Sequence, residues 1–230
     1  MSSCSRAVVA LVIATLAVSL FAGVGAAQEP EPVDGRFLVE LDADGDAQIS
    51  LEQEYNLSND AERDAFESIH NDSAARREAA EQVQQDTEYV NNVADDETDR
   101  EMVVGEVSVE TSVDGDVGTV AYRFTWENLA ATEEGRLILA EPFSLYDELD
   151  RKLVVVVPEE YEITSATPEP DEQNATSASW AGFTSFSDPE GGFEVVAESE
   201  DASSGDGAGF GPAVAVGALL AAALLAHRRR

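Results

Sequence analysis

The sequence predicts an α+β chain, mainly β: an antiparallel β-sandwich-like ectodomain with an inserted α-helical pair, flanked by an N-terminal signal and a C-terminal transmembrane helix. Three observations lead there. Apolar and polar residues alternate through about eight short segments between residues 36 and 198. A block over 58–98 turns rich in Ala, Glu, Gln and Arg, the texture of helix. Both ends of the chain are apolar runs that stand outside the acidic middle.

The N-terminal run begins beside Arg6, continues through Ala7 to Val24, and ends in the small residues of "VGAAQEP". A basic start, an apolar stretch and small residues make a secretory signal over 1–27, cut between Ala27 and Gln28. Residues 28–35 then form a short linker into an ectodomain spanning 36–198.

Phe37, Val39 and Leu41 alternate on a first strand, and Ile49, Leu51, Tyr55 and Leu57 on a second. Between them, "LDADGDAQISLE" (41–52) spaces Asp42, Asp44 and Asp46 like the first ligands of a calcium loop. An EF-hand needs glycine at its sixth position and a bidentate Glu at its twelfth. Counted from Asp42, those positions hold Ala47 and Gln53. The stretch therefore reads as a hairpin. A three-residue loop, Ala43-Asp44-Gly45, pairs Val39 with Ile49 and Phe37 with Leu51, with glycine where a left-handed backbone is required.

In the helical block, Ser58 or Asp60 is expected to cap a first helix carrying Phe66 and Ile69, and Asp72 or Ser73 a second carrying Ala79, Val83, Val90 and Val93. Strands return with "EVSVETSV" and "TVAYRFTW". A four-residue "DGDV" loop pairs Val109 with Tyr122 and Val107 with Phe124. "RLIL", "KLVVVV", "YEIT" and "GGFEVVAE" supply further strands, and "TPEPDEQ" and "SDPEGG" read as turn-rich breaks.

Residues 199–209 form a flexible stalk. The apolar run 210–226 has the minimum length for crossing a bilayer, about 17 residues. The tail 227–230, with Arg228, Arg229 and Arg230, holds that end in the cytoplasm and leaves the acidic domain outside. The reading thus places the protein in the cell membrane, with its domain on the extracellular side.

Charge narrows the partners. The chain has 47 Asp and Glu against 13 Lys and Arg, a net charge of −34. Every acid lies between Glu29 and Asp206, and Lys152 is the only lysine. Such a surface repels nucleic acid. Strand patterning and 43% hydrophobic content argue for a folded domain rather than an acidic disordered one. The balance resembles that of proteins from salt-loving archaea. At about 1 M salt the screening length falls to about 3 Å, so self-repulsion fades. Partial unfolding is expected in dilute buffer, and an unchanged circular dichroism spectrum after desalting would refute it.

Two stretches carry family resemblances. Gly209, Phe210 and Gly211, followed by an Ala/Leu/Val helix and terminal arginines, resemble the PGF-CTERM sorting signal of haloarchaeal surface proteins. Ala208 stands where that family has proline, and Pro212 follows. The resemblance implies recognition by an archaeosortase, which removes the helix and transfers the protein to a lipid. "REMVVGEVSVETSVDGDVGTVAYRFTWENLA", "KLVVVVPEEYEITSATPEP" and "SWAGFTSF" resemble a haloarchaeal extracellular domain of unknown function over most of 36–198. That resemblance implies core and turn roles for Trp126, Trp180 and Gly182, and no activity.

Reactive chemistry is sparse. The histidines are His70, in the helical block, and His227, beside the terminal arginines. The sole cysteine, Cys4, lies in the signal. No nucleophile elbow, zinc helix or phosphate loop occurs, so no catalytic residue, cofactor or metal ligand is assigned, and His70 reads as a solvated helix residue. Asn71 and Asn174 are the better glycosylation acceptors and Asn56 a weaker one. The expectation is a non-catalytic structural or interaction protein of the cell envelope, anchored in the membrane and working with other envelope proteins. Its alternatives are a secreted carboxylate-dependent hydrolase and a calcium-dependent adhesion module.

Overall fold

Twelve strands and two helices make up the described part of a computed structural model, which covers residues 34–98, 100–186 and 192–199. The chain is mixed α and β, mainly β. Strand β1 (Gly35–Leu41) turns into β2 (Ala47–Asn56) with Phe37 opposite Leu51 and Val39 opposite Ile49, the expected register. The loop closes through the Asp42 amide on the Asp46 carbonyl at 2.8 Å, and Gly45 sits at φ 93°. A Cβ on Gly45 would strike the Ala130 carbonyl, so glycine serves both the turn and a close backbone approach.

Helices α1 (Asp60–His70) and α2 (Ser73–Thr98) follow. The cap of α1 is neither Ser58 nor Asp60 but Asn59. Its side chain accepts from the amides of Ala61 at 3.0 Å and Glu62 at 3.5 Å. Asp72 caps α2, accepting from Ala74 at 2.7 Å. Arg76 reaches back to the Ile69 carbonyl at 3.0 Å, satisfying an open end of α1.

Strands β3 (Val103–Val104) and β4 (Ser108–Asp114) both pair with the long β5 (Val117–Glu127). Val109 lies opposite Tyr122 as expected, but Asp114 still pairs with Val117. The loop is therefore two residues, Gly115-Asp116, not four. Gly115 at φ 58° supplies the left-handed first position that such a tight turn requires.

Next come β6 (Ala131–Glu133), β7 (Arg136–Leu139), a 3₁₀ turn (Phe143–Leu145), β8 (Lys152–Val156), β9 (Tyr161–Thr167), β10 (Glu172–Gln173), β11 (Ser177–Trp180) and β12 (Glu194–Ser199). Twelve strands stand where about eight were expected. The extra ones, β3, β6, β10 and β11, are two to four residues long, too short for alternation to reveal. The Glu172–Gln173 pair even falls inside a stretch read as a turn.

The strands form an eight-stranded sheet, ordered β10-β11-β8-β1-β2-β5-β3 with β4 also on β5, and a four-stranded sheet ordered β6-β7-β12-β9. The expected all-antiparallel pairing fails at one place, where β8 lies parallel to β1 with Phe37 level with Leu153. Parallel neighbours need a long connection, and everything from β2 to the 3₁₀ turn lies between these two.

Pairing sets side chains in rows. Trp180, Leu153, Phe37, Leu51 and Tyr122 run across one face of the large sheet; Lys152, Arg36, Glu52 and Ala121 run across the other. The first face is the core side. The second carries the ion pairs Arg36–Glu52, Arg123–Glu110 and Lys152–Glu172, each with an exposed base and therefore weak. Over the core face, the helices cover the β2–β5 end. Phe66 lies tilted against Tyr55 with ring centroids 6.0 Å apart, and Asn91 of α2 accepts from the Trp126 indole at 2.7 Å. The small sheet and the 3₁₀ turn cover the β1–β8–β11 end through Phe37, Phe143, Phe193 and Trp180, whose rings meet at 5.2 to 5.5 Å. No described helix is long and apolar enough to cross a membrane.

Candidate functional site

The large sheet is covered in two pieces, and a cleft opens along the seam between them. Phe37 and Leu51, neighbours in one row, form its floor together with Phe124 and Trp126 of β5. Helix α2 lends Val83, Asp86 and Thr87 to one wall. The chain beyond the 3₁₀ turn lends Tyr146, Leu149, Asp150 and Arg151 to the other. The cavity at its base measures about 40 Å³. At about 10–15 Å³ for each water-sized probe, that is room for the end of a small molecule, not for a large one.

The floor is apolar because the strand period of two sends Phe37, Leu51, Phe124 and Trp126 to the same side. The polar groups come from the walls. Arg151 is the one charged side chain that is buried among the described residues, at 6% exposure. Its Nε donates to Asp150 Oδ1 at 2.7 Å and its Nη2 to Asp150 Oδ2 at 3.1 Å, a two-pronged pair between chain neighbours. Nη1 donates to no described residue. Asp86, half-buried across the cleft, accepts from Gln82 Nε2 at 3.0 Å on both oxygens.

Three tyrosines gather near this pair. Tyr146 is 3% exposed, and its hydroxyl has no hydrogen-bond partner among the described residues. Burial holds its pKa above the usual phenol value. Burial likewise pushes Tyr55 up to about 12, helped by Tyr122 and opposed by the nearby positive charge of Arg151. Tyr122 is raised by burial and lowered by the same guanidinium. All three stay protonated at neutral pH and so remain hydrogen-bond donors.

The residues singled out in the sequence lie elsewhere. Exposed His70 bonds through Nδ1 to Thr111 Oγ1 at 2.8 Å and stacks on Phe66 at 5.0 Å, fastening α1 to β4 rather than standing free in solvent. Asn56, Asn71 and Asn174 are all exposed. Asn174 donates its Nδ2 to Ser177 Oγ at 2.7 Å, and Asn56 accepts from the Ser58 amide at 3.0 Å. Asn71, at the C-terminal end of α1, keeps its side-chain amide out of any hydrogen bond with described residues. At the acidic hairpin, Asp46 accepts the Asn128 amide at 2.8 Å and so ties the turn to the end of β5. No three His, Cys, Asp or Glu are grouped as metal ligands among the described residues. Ala27 and Gln28 of the cleavage site, and Gly209, Phe210 and Gly211 of the sorting motif, lie outside the described residues.

A family model described as a domain of unknown function (DUF7345) matches residues 38–161, more than half of the chain. The chain belongs to this family. The DUF7345 segment runs from β1 to the start of β9, so it includes both helices and every cleft residue except Phe37. No curated protein matches the chain. Among solved structures, the NMR structure of the folded domain of Mycobacterium tuberculosis LppM is similar, at 9% identity and a TM-score of 0.35. The match covers 77% of this chain and 96% of that one.

Sequence reasoning missed the cleft. "SLYDELDRK" has no period and no motif. Its one readable oddity is an arginine among acids, next to apolar residues that no strand or helix claims.

Proposed function

We propose that this DUF7345 protein is an exported, membrane-anchored, non-catalytic module of the cell envelope of a halophilic archaeon, with a sandwich-like ectodomain outside the membrane. One observation carries the reading: no described Asp or Glu is buried, although the chain has 47. Acids spread over the outside serve hydration and solubility in salt. Acid–base chemistry needs carboxyls that converge, with one withdrawn from water. The two acids that line the cleft are each engaged already, Asp86 by Gln82 and Asp150 by Arg151.

The sequence ends supply the address: a signal over 1–27, a stalk, and an apolar run before three arginines. Asn71, with its amide uncommitted, is the best placed of the three glycan acceptors. The test is intact-mass measurement of the protein extracted from membranes of a haloarchaeal host. The expected species begins at Gln28, with added glycan mass that an Asn71→Gln variant reduces. Loss of the arginine tail with gain of a lipid supports archaeosortase processing; retention supports a plain transmembrane anchor. A full-length chain starting at Met1 in the soluble fraction would overturn the proposal.

A further inference from the structure

We infer that the cleft between α2 and the 146–151 segment binds the short apolar end of an uncharged amphiphile, whose single oxygen takes a hydrogen bond from Tyr146. Size, walls and charge each contribute. The base of the cleft is small, about 40 Å³, so it admits a chain of a few carbons rather than a long acyl tail. Phe37, Leu51, Val83, Phe124 and Leu149 surround that space with apolar surface. A pocket of this kind fixes its ligand by a few placed polar groups.

Tyr146 is the group that asks for a partner. It is 3% exposed, and its hydroxyl bonds to no described residue. Among the described residues, the side-chain atom that is both buried outright and without a partner is Arg100 Nε; the Tyr146 hydroxyl is accessible, and Tyr146 lines the cleft, so it can donate to an oxygen that enters there. Arg151 offers a second donor, since its bond to Asp150 uses Nε and Nη2 and leaves Nη1 over.

Charge then decides between kinds of head group. Asp86, Asp150 and Arg151 all line the cleft, two negative groups to one positive. A carboxylate or phosphate head would add to the negative excess, within a protein that already carries −34. An alcohol or an ester or amide carbonyl meets the same donors without that penalty. The inference does not depend on where the domain is anchored.

The probes are 1-hexanol and hexanoate, titrated into the full chain in molar KCl and followed by amide and indole NMR. Hexanol is expected to shift the Trp126 indole resonance and the lining amides saturably, with hexanoate about tenfold weaker or more. Tyr146→Phe keeps the ring, removes the hydroxyl, and is expected to weaken hexanol binding about tenfold; Leu51→Trp, which fills the cleft from its floor, is expected to abolish it. Should Leu51→Trp fail to fold, the Phe variant alone decides. Shifts that never saturate, shifts scattered over the surface, or unchanged hexanol binding by Tyr146→Phe would each overturn the inference, and tighter binding of hexanoate would overturn its assignment of an uncharged head.

Discussion

Replacing Asn91 by alanine is expected to lower the stability of the domain by about 2–4 kcal/mol, because it leaves two buried groups without partners at about 1–3 kcal/mol each. Asn91, 7% exposed on α2, accepts from Trp126 Nε1 at 2.7 Å and donates to the Met102 carbonyl at 2.9 Å. One turn along, Asp95 accepts the Met102 amide at 2.9 Å. The long helix, β5 and the chain entering β3 are thus tied by one small polar network in an apolar setting, where each bond is strong because water is excluded. Denaturant unfolding in molar KCl measures the loss. Trp126→Phe removes the indole donor, so a double-mutant cycle isolates the Asn91–Trp126 bond. A coupling energy indistinguishable from zero would show that the network does not fasten the helix.

Phe143→Ala is expected to cost more, about 3–5 kcal/mol, the usual range for deleting a buried phenyl ring. Phe143 is fully buried in the 3₁₀ turn and touches the rings of Phe37, Tyr146 and Phe193. Those three belong to the large sheet, the cleft wall and the edge of β12, so a single ring spans the junction of the sheets. Its removal leaves a cavity bordered by those three rings. Because Tyr146 rests against it, the same change should also loosen the cleft wall, seen as exchange broadening of residues 146–151. An unfolding midpoint within error of the parent would mean that the two sheets are held together elsewhere.

The ion pairs contrast with these two. Six pair a base with an acid among the described residues, and five of the bases are at least two-fifths exposed. Exposed pairs contribute about 0–1 kcal/mol each and less in salt. With the ion pairs this exposed, the stability comes mainly from rings, aliphatic rows and buried neutral hydrogen bonds such as those of Asn91.

Much of the local structure was legible in the residues alone. The register of β1 on β2 followed from period-two alternation plus one glycine, because slipping a strand by one residue would send Phe37, Val39 and Leu41 into water. The same logic gave the pairing of β4 with β5, though not the length of their turn. Both helices were visible, yet Asn59 took the cap because helix entry depends on the backbone angle at β2's end, which composition does not reveal. Val103–Val104 and Glu172–Gln173 were invisible as strands, since two residues cannot show a period.

By itself, then, the sequence determined what depends on neighbours along the chain: alternation, turn chemistry, the helical block, the strength and sign of the charge, and the character of the two ends. Only the tertiary structure decided that β8 runs parallel to β1, that Asn91 meets Trp126, and that Tyr146 and Arg151 face Asp86 across a cleft. Those contacts join residues tens of positions apart, so they rest on which rows of side chains fill the same space once the sheets and helices pack. No local signal carries that information, because the energy that selects it exists only in the assembled core.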